Sequence, residues 1–335
     1  MNFRFLLLLS STFFFFSCDN EVVLLEDAVP VPIVYGLYNT AVDVQYVSIS
    51  KSFQFGDEGG ALAAAQQEDS IYYAVDEIVA YAENSRTADR ATLTRVNLAD
   101  AGLERNEGVF PSNPNYFYTY NSSGLNAIQG DTIQLRVEKN GELIASGNAP
   151  VLPLLLFQAG REPLDLYSFS SETPYTFRWT RDRSTPIEAE IGTYELGFNI
   201  SMTETGPNGS EELNLYWAAG RNLDGDRNVF SGRIDGFYDF LNGALRTNLE
   251  GYSYTVPTVK LIITGGDNSF TAYQELIEAN RGITSTGELP PFTNVGGGIG
   301  LFGGITQLEQ VTVAGLSPPA ADALVDRCPG IDFGL

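Results

Sequence analysis

The 335-residue chain carries 42 Asp and Glu against 19 Lys and Arg, a net charge of −23 at pH 7, with 43% hydrophobic residues. Such a composition suits a folded body rather than a disordered chain, and an acidic surface with no basic stripe excludes nucleic acid as a partner. Histidine is absent, which removes Ser-His-Asp and Cys-His catalysis, His-ligated zinc and a histidine pH switch together.

Residues 1–17 read as a bacterial lipoprotein signal peptide. Arg4 supplies the positive charge, Phe5 to Phe16 are apolar except for Ser10, Ser11 and Thr12, and Ser17 is the small residue before a scissile bond. About a dozen apolar positions fall short of spanning a ~30 Å hydrocarbon core. The expectation is cleavage before Cys18 and lipid on its thiol and new amino group, with Phe15 standing where Leu is more usual. The acyl chains would be the membrane attachment. With Cys18 acylated, Cys328 has no disulfide partner. An acidic tether over residues 18–32 follows, ending in Val29-Pro30-Val31-Pro32, a sequence that favours extended backbone.

Strand-like alternation then begins. Val42, Val44 and Tyr46, and beyond Ser48 the pair Phe53 and Phe55, recur near period two, as in a half-buried strand. Gly60 to Gln67 is Ala-rich and suits a short helix. Tyr72, Tyr73, Val75, Ile78, Val79 and Tyr81 suggest a second strand, and Tyr116 to Tyr120 an aromatic one. Asp131 to Val137 alternates, and Asn140-Gly141 marks a tight hairpin turn into Leu143 to Ala145.

The Pro-containing stretch Ala149 to Pro153 predicts a boundary. Strands are expected over Tyr175–Thr180, Gly192–Met202, Asn214–Ala218, Tyr252–Val256 and Val259–Thr264, with Pro207-Asn208-Gly209 as a hairpin loop. One helix is expected over Phe270 to Ala279, capped by Asp267-Asn268-Ser269 and closed by Gly282. A Gly-rich segment, 296–304, precedes a last strand through Leu308 to Val313. The resulting expectation is an all-β, mainly antiparallel fold: an immunoglobulin-like β-sandwich over residues 33–150, then a β-rich domain over residues 151–335 with one short helix.

Candidate sites are few. Gly298-Ile-Gly-Leu-Phe-Gly303 has dinucleotide-loop spacing but leads into β-prone sequence, so glycines permitting close backbone approach in a sheet are the preferred explanation. Ser48 and Lys51 satisfy S-x-x-K, yet on a strand they point to opposite faces. Asn222, Asp224, Asp226 and Asn228 alternate oxygen ligands as a Ca²⁺ loop would, the one cofactor the sequence suggests. Gly225 falls at the fourth place rather than the sixth, and Arg233 stands where a Glu would close an EF-hand, so a polar turn is preferred. Glu188 and Glu190 share a strand face and could pair as glycosidase carboxylates, although a solvated edge is the commoner meaning. Outward rings among Tyr116, Tyr118, Tyr120, Phe237 and Tyr238 are the candidates for stacking on a ligand or partner.

Several segments resemble uncharacterised outer-membrane lipoproteins of Bacteroidota: Cys18 with its acidic tether, Pro32-Ile-Val-Tyr-Gly-Leu37, Asp69-Ser-Ile-Tyr-Tyr73, Tyr194-Glu-Leu-Gly-Phe198 and Phe292-Thr-Asn-Val-Gly-Gly-Gly-Ile-Gly-Leu-Phe302. The resemblance implies a β-rich, lipid-anchored outer-membrane protein met near TonB-dependent transporters, with no catalytic residues to carry over. Ser70 and Thr132, in Asp-Ser-Ile and Asp-Thr-Ile, also resemble O-glycosylation acceptors of that phylum. The functional expectation is a non-catalytic accessory or binding subunit at the outer membrane, with an outer-membrane protein as partner. A carboxylate-dependent glycan hydrolase and an adhesive surface protein are the alternatives.

Overall fold

The computed structural model describes residues 29–53, 60–105, 108–160, 163–169, 174–182, 189–225, 227–247, 250–279 and 292–335. Residues 1–28, with the expected leader and Cys18, and Phe55, Glu188, Asp226 and Gly282 lie outside them. In chain order the strands are Pro32–Asn39 (β1), Val44–Lys51 (β2), Val79–Asn84 (β3), Arg90–Thr92 (β4), Thr94–Asn97 (β5), Tyr116–Asn121 (β6), Thr132–Lys139 (β7), Glu142–Pro150 (β8) and Leu155–Phe157 (β9). They continue with Leu166–Tyr167 (β10), Pro174–Arg181 (β11), Thr193–Gly206 (β12), Gly209–Asp224 (β13), Val229–Arg233 (β14), Ser253–Tyr254 (β15), Thr258–Gly266 (β16), Ile299–Glu309 (β17) and Gly315–Leu316 (β18). Five α-helices accompany them among the described residues: Gly60–Ala65 (α1), Glu68–Ile71 (α2), Phe237–Ala244 (α3), Asn268–Ala279 (α4) and Pro318–Arg327 (α5). No described helix is long and apolar enough to cross a membrane.

The fold is all-β and sandwich-like, built on one nine-stranded sheet in the order β13-β12-β16-β17-β1-β2-β6-β5, with β15 also paired to β12. Pairing is antiparallel except between β1 and β17, where Ile33 lies beside Ile299 and Asn39 beside Ile305, and between β10 and β18. One face of the long sheet is packed from β13 to β6. Tyr194, Leu196, Phe198, Ile200 and Met202 on β12, with Leu261 and Ile263 on β16, belong to one buried cluster. Phe302 on β17, Val34 on β1 and Val47 and Ile49 on β2 belong to a second.

Two smaller sheets close these clusters. The sheet β4-β3-β7-β8 supplies Ala80, Ala82, Ile133, Leu135, Val137, Ala145 and Ala149 to the second cluster. The sheet β14-β11-β9 supplies Leu155, Tyr175, Phe177 and Trp179 to the first. That first cluster is aromatic: Phe169 stacks on Phe237 with centroids 4.2 Å apart, and Phe198 meets Phe169 edge-on at 5.2 Å. Each such ring contributes about 1.5–3 kcal/mol through burial alone. The clusters part between Val151 and Leu152, but Val295 and Phe302 return from late in the chain to complete the earlier one.

Local chemistry accounts for the turns. Asn140 and Gly141 have φ of +53° and +81°, the left-handed pair that a two-residue hairpin turn requires. Pro207 and Asn208 form the two-residue loop of the β12–β13 hairpin, where Gly206 pairs with Gly209.

Three expectations are corrected. Tyr72 to Ile78 is not a strand; it is a turn-rich connection with Asp76 at φ +66°, and the strand starts at Val79. The last long strand does not run through Val313. It begins inside the Gly-rich segment and ends at Glu309, leaving Val311 and Val313 exposed. Glycine carries little strand propensity, yet at Gly300 (φ +126°) a Cβ would sit 1.9 Å from the Val34 carbonyl oxygen. Close approach of β1 dictates glycine there. The third correction concerns the helices: α1, α2, α3 and α5 join the expected α4.

Candidate functional site

The face of the long sheet turned away from the two clusters is partly covered by α4. Asp267 fixes the start of that helix: its Oδ1 accepts from the Phe270 amide at 2.8 Å, and its Oδ2 accepts from the Gly304 amide of β17 at 3.0 Å. Asp267 is buried with no basic partner among the described residues, and burial raises its carboxyl above the ordinary range, opposed by hydrogen bonds from the amides of Phe270, Gly304 and Ser269. Further along, Glu195 of β12 accepts from the Tyr216 hydroxyl at 2.5 Å and the Gln274 amide at 3.2 Å, and Arg221 bridges Glu195 and Glu278 at 3.3 and 3.5 Å. Burial first, then the Glu195 carboxylate, pushes the Tyr216 phenol up. These contacts seat α4 across the sheet.

Seated this way, α4 presents Tyr273 beside Tyr35 of β1, centroids 6.3 Å apart, and beside Phe292 at 5.8 Å. An open groove of about 400 Å³ lies between Tyr273 and the β1–β2 turn, floored by Leu37, Leu301 and Ile305 and walled by Val42, Val44 and Tyr46. The turn is held by Gln45, itself 3% exposed. Its Nε2 donates to the Asn39 and Val42 carbonyls at 2.9 and 2.6 Å, while its Oε1 accepts from the Asn39 amide at 2.9 Å. That clamp props Val42, Val44 and Tyr46 outward, at 47%, 48% and 48% exposure. Among the described residues none that lines it is charged, in a chain whose net charge is −23. Contiguous exposed apolar surface of this kind is characteristic of contact sites.

The alternation noted for Val42, Val44 and Tyr46 is present in the structure, which decides the face it left open. These three face solvent, and Gln45, Val47 and Ile49 face inward. Both faces of β2 are rich in apolar residues, so period two alone cannot choose between them.

The expected aromatic platforms are corrected likewise. Tyr118 and Tyr120 are core residues, and burial pushes up both phenols. Phe237 and Tyr238 are both buried on α3, Phe237 against Phe169 and Trp217, and Tyr238 against α5, where its hydroxyl donates to the Ala320 carbonyl at 3.2 Å. Tyr116 is half-buried, with the Arg95 guanidinium 3.5 Å from its ring centroid and Tyr72 edge-on at 5.0 Å.

Of the suggested calcium ligands, Asn222 lies in β13 and Asp224 ends it. The Asp224 carboxylate is 3.4 Å from Arg227 Nε, and Asn228 Oδ1 accepts from the Tyr194 hydroxyl at 3.0 Å. Among the described residues no three Asp, Glu or Cys gather as a metal site. Glu190 is exposed. Ser70 is half-buried in α2, and Thr132 half-buried at the start of β7. Gly298 to Gly303 lies in and beside a central strand, and Ser48 and Lys51 lie on β2. Cys328 is buried and unpaired, and burial pushes its thiol up to about 11.

No protein-family model matches the chain, and no curated protein matches it.

Proposed function

We propose that this chain is a lipid-anchored protein of the bacterial outer membrane that binds a partner protein and performs no catalysis of its own. The observation that carries this reading is the uncharged groove between Tyr273 and the Val42–Tyr46 wall. On a strongly acidic molecule, solvated surface would ordinarily carry carboxylates; this groove is lined by aliphatic, tyrosine and amide side chains instead. Its occupant is an uncharged, aliphatic or aromatic segment of an integral outer-membrane protein, a TonB-dependent transporter being the favoured class. Charge supports that choice, because burying a charged segment against these residues would leave it unpaired. The leader ending at Ser17 and the adjacent Cys18 support delivery to that membrane.

The test places a photo-crosslinking amino acid at Val44 in the full chain in its native cells. The expected product is an adduct with an integral outer-membrane β-barrel, lost when Tyr46→Glu puts a carboxylate in the groove. Absence of any adduct, or an adduct indifferent to Tyr46→Glu, would refute the reading. Mass spectrometry of the native protein should find Cys18 acylated and amino-terminal.

A further inference from the structure

At the other end of the long sheet, where the β12–β13 hairpin turns, a polar cleft of about 300 Å³ is lined by Glu204, Asn208, Ser210, Glu211, Arg246 and Tyr252. The two-residue loop sets the register so that Glu204 and Glu211 stand directly opposite one another. Like charges in that relation are destabilising, since directly opposed Cβ atoms lie only ~5 Å apart. Glu204 is 9% exposed. Its Oε2 accepts from the Tyr254 hydroxyl at 2.7 Å, and Arg246 Nε stands 3.9 Å away. Arg246 also lies 5.1 Å from the Tyr252 ring centroid. The Tyr252 ring is packed down on Gly206, where a Cβ would come within 2.6 Å of it.

We infer that this cleft is a binding subsite for a neutral saccharide unit. The charges decide the class. An anion would meet two carboxylates, and a metal ion or polyamine would meet the Arg246 guanidinium beside the buried carboxylate. A neutral polyol has no such conflict. Each hydroxyl both donates and accepts, and the cleft alternates carboxylate acceptors, a guanidinium donor, and the amide and hydroxyl of Asn208 and Ser210, which do both. The Tyr252 ring supplies an apolar wall for the C–H face of a sugar. The volume lies at the low end of the ~300–1,000 Å³ typical of small-molecule sites, which suits one pyranose ring.

The experiment uses the full chain in a detergent without a sugar headgroup. Methyl glycosides of glucose, galactose, mannose and N-acetylglucosamine are titrated at millimolar concentration, with spermidine and citrate as cationic and anionic probes, and binding is followed by saturation-transfer NMR. At least one glycoside should bind. Exposed Glu211 can be changed without disturbing the core, and Glu211→Gln should weaken binding about tenfold. Arg246→Gln should do the same, and Val79→Ser on β3, exposed and outside both the cleft and the groove, should leave binding unchanged. Thermal melting of each variant reports its folding. The inference fails if no glycoside binds, if Glu211→Gln and Arg246→Gln bind as well as the parent, or if spermidine or citrate is preferred.

Discussion

Phe302 lies against Gly147: a Cβ on that glycine would come within 2.6 Å of the Phe302 Cβ and 3.2 Å of its Cγ. Phe302 is fully buried in the cluster built mostly from residues before 152, so this contact joins a late strand to the early half of the fold. Gly147→Ala should therefore destabilise by about 1–3 kcal/mol through overpacking, and Phe302→Ala by about 3–5 kcal/mol through the cavity it leaves. Because the two residues touch, the losses should not add. Urea midpoints of both single variants and the double variant check this; full additivity would show that the contact is not there.

Asp267 caps α4 and at the same time accepts the buried Gly304 amide. Asp267→Ala removes both bonds and should cost about 2–4 kcal/mol. Asp267→Asn, which still offers a capping oxygen, should cost less. Hydrogen exchange of the α4 amides should rise in Asp267→Ala before that of β12. Equal protection in parent and variant would contradict the assignment.

Acid sensitivity should trace to Asp131. Burial alone would raise its carboxyl, but hydrogen bonds from Arg86, the Ile128 amide and Asn84 outweigh that and hold it below the ordinary range. A folded value below the unfolded one gives stability that is present above ~3.9 and lost as pH falls through the folded value. Glu77, held low by Lys139 and the Ala74 amide, acts in the same direction. Asp267, displaced upward, acts in the opposite one. Asp131→Asn should lower stability at pH 7 by about 2–3 kcal/mol and flatten the acid limb of a Tm-against-pH curve. An unchanged acid limb would show that other carboxylates govern it.

The Cys328 thiol, 1% exposed with its Sγ 3.8 Å from the Tyr238 carbonyl, should resist alkylation in the folded protein and react fully in denaturant. Rapid stoichiometric labelling under native conditions would place it at the surface instead.

What could be read from the sequence was local. Asn140-Gly141 and Pro207-Asn208-Gly209 specify their turns through their own backbone preferences, and both hairpins form where those residues stand. The opposition of Glu204 and Glu211 was already implicit in the second loop, since a two-residue connection fixes the register behind it. Distant contacts were not legible. Gly300 becomes a strand residue because Val34 lies against it, and nothing near residue 300 in the sequence carries that information. The groove was missed for a related reason. In the sequence Val42, Val44 and Tyr46 could face either way; the Gln45 side chain, hydrogen-bonded inside the turn, decides which.

The pairing of β1 with β17 has a bearing on how the molecule assembles. Ile33 finds its neighbour only when Ile299 has arrived, so the first long strand to be synthesised must wait, unmatched along that side, for nearly the last. Entropy makes so distant a meeting slow. A polypeptide with this delay keeps one side of its first long strand open until almost the whole chain is present.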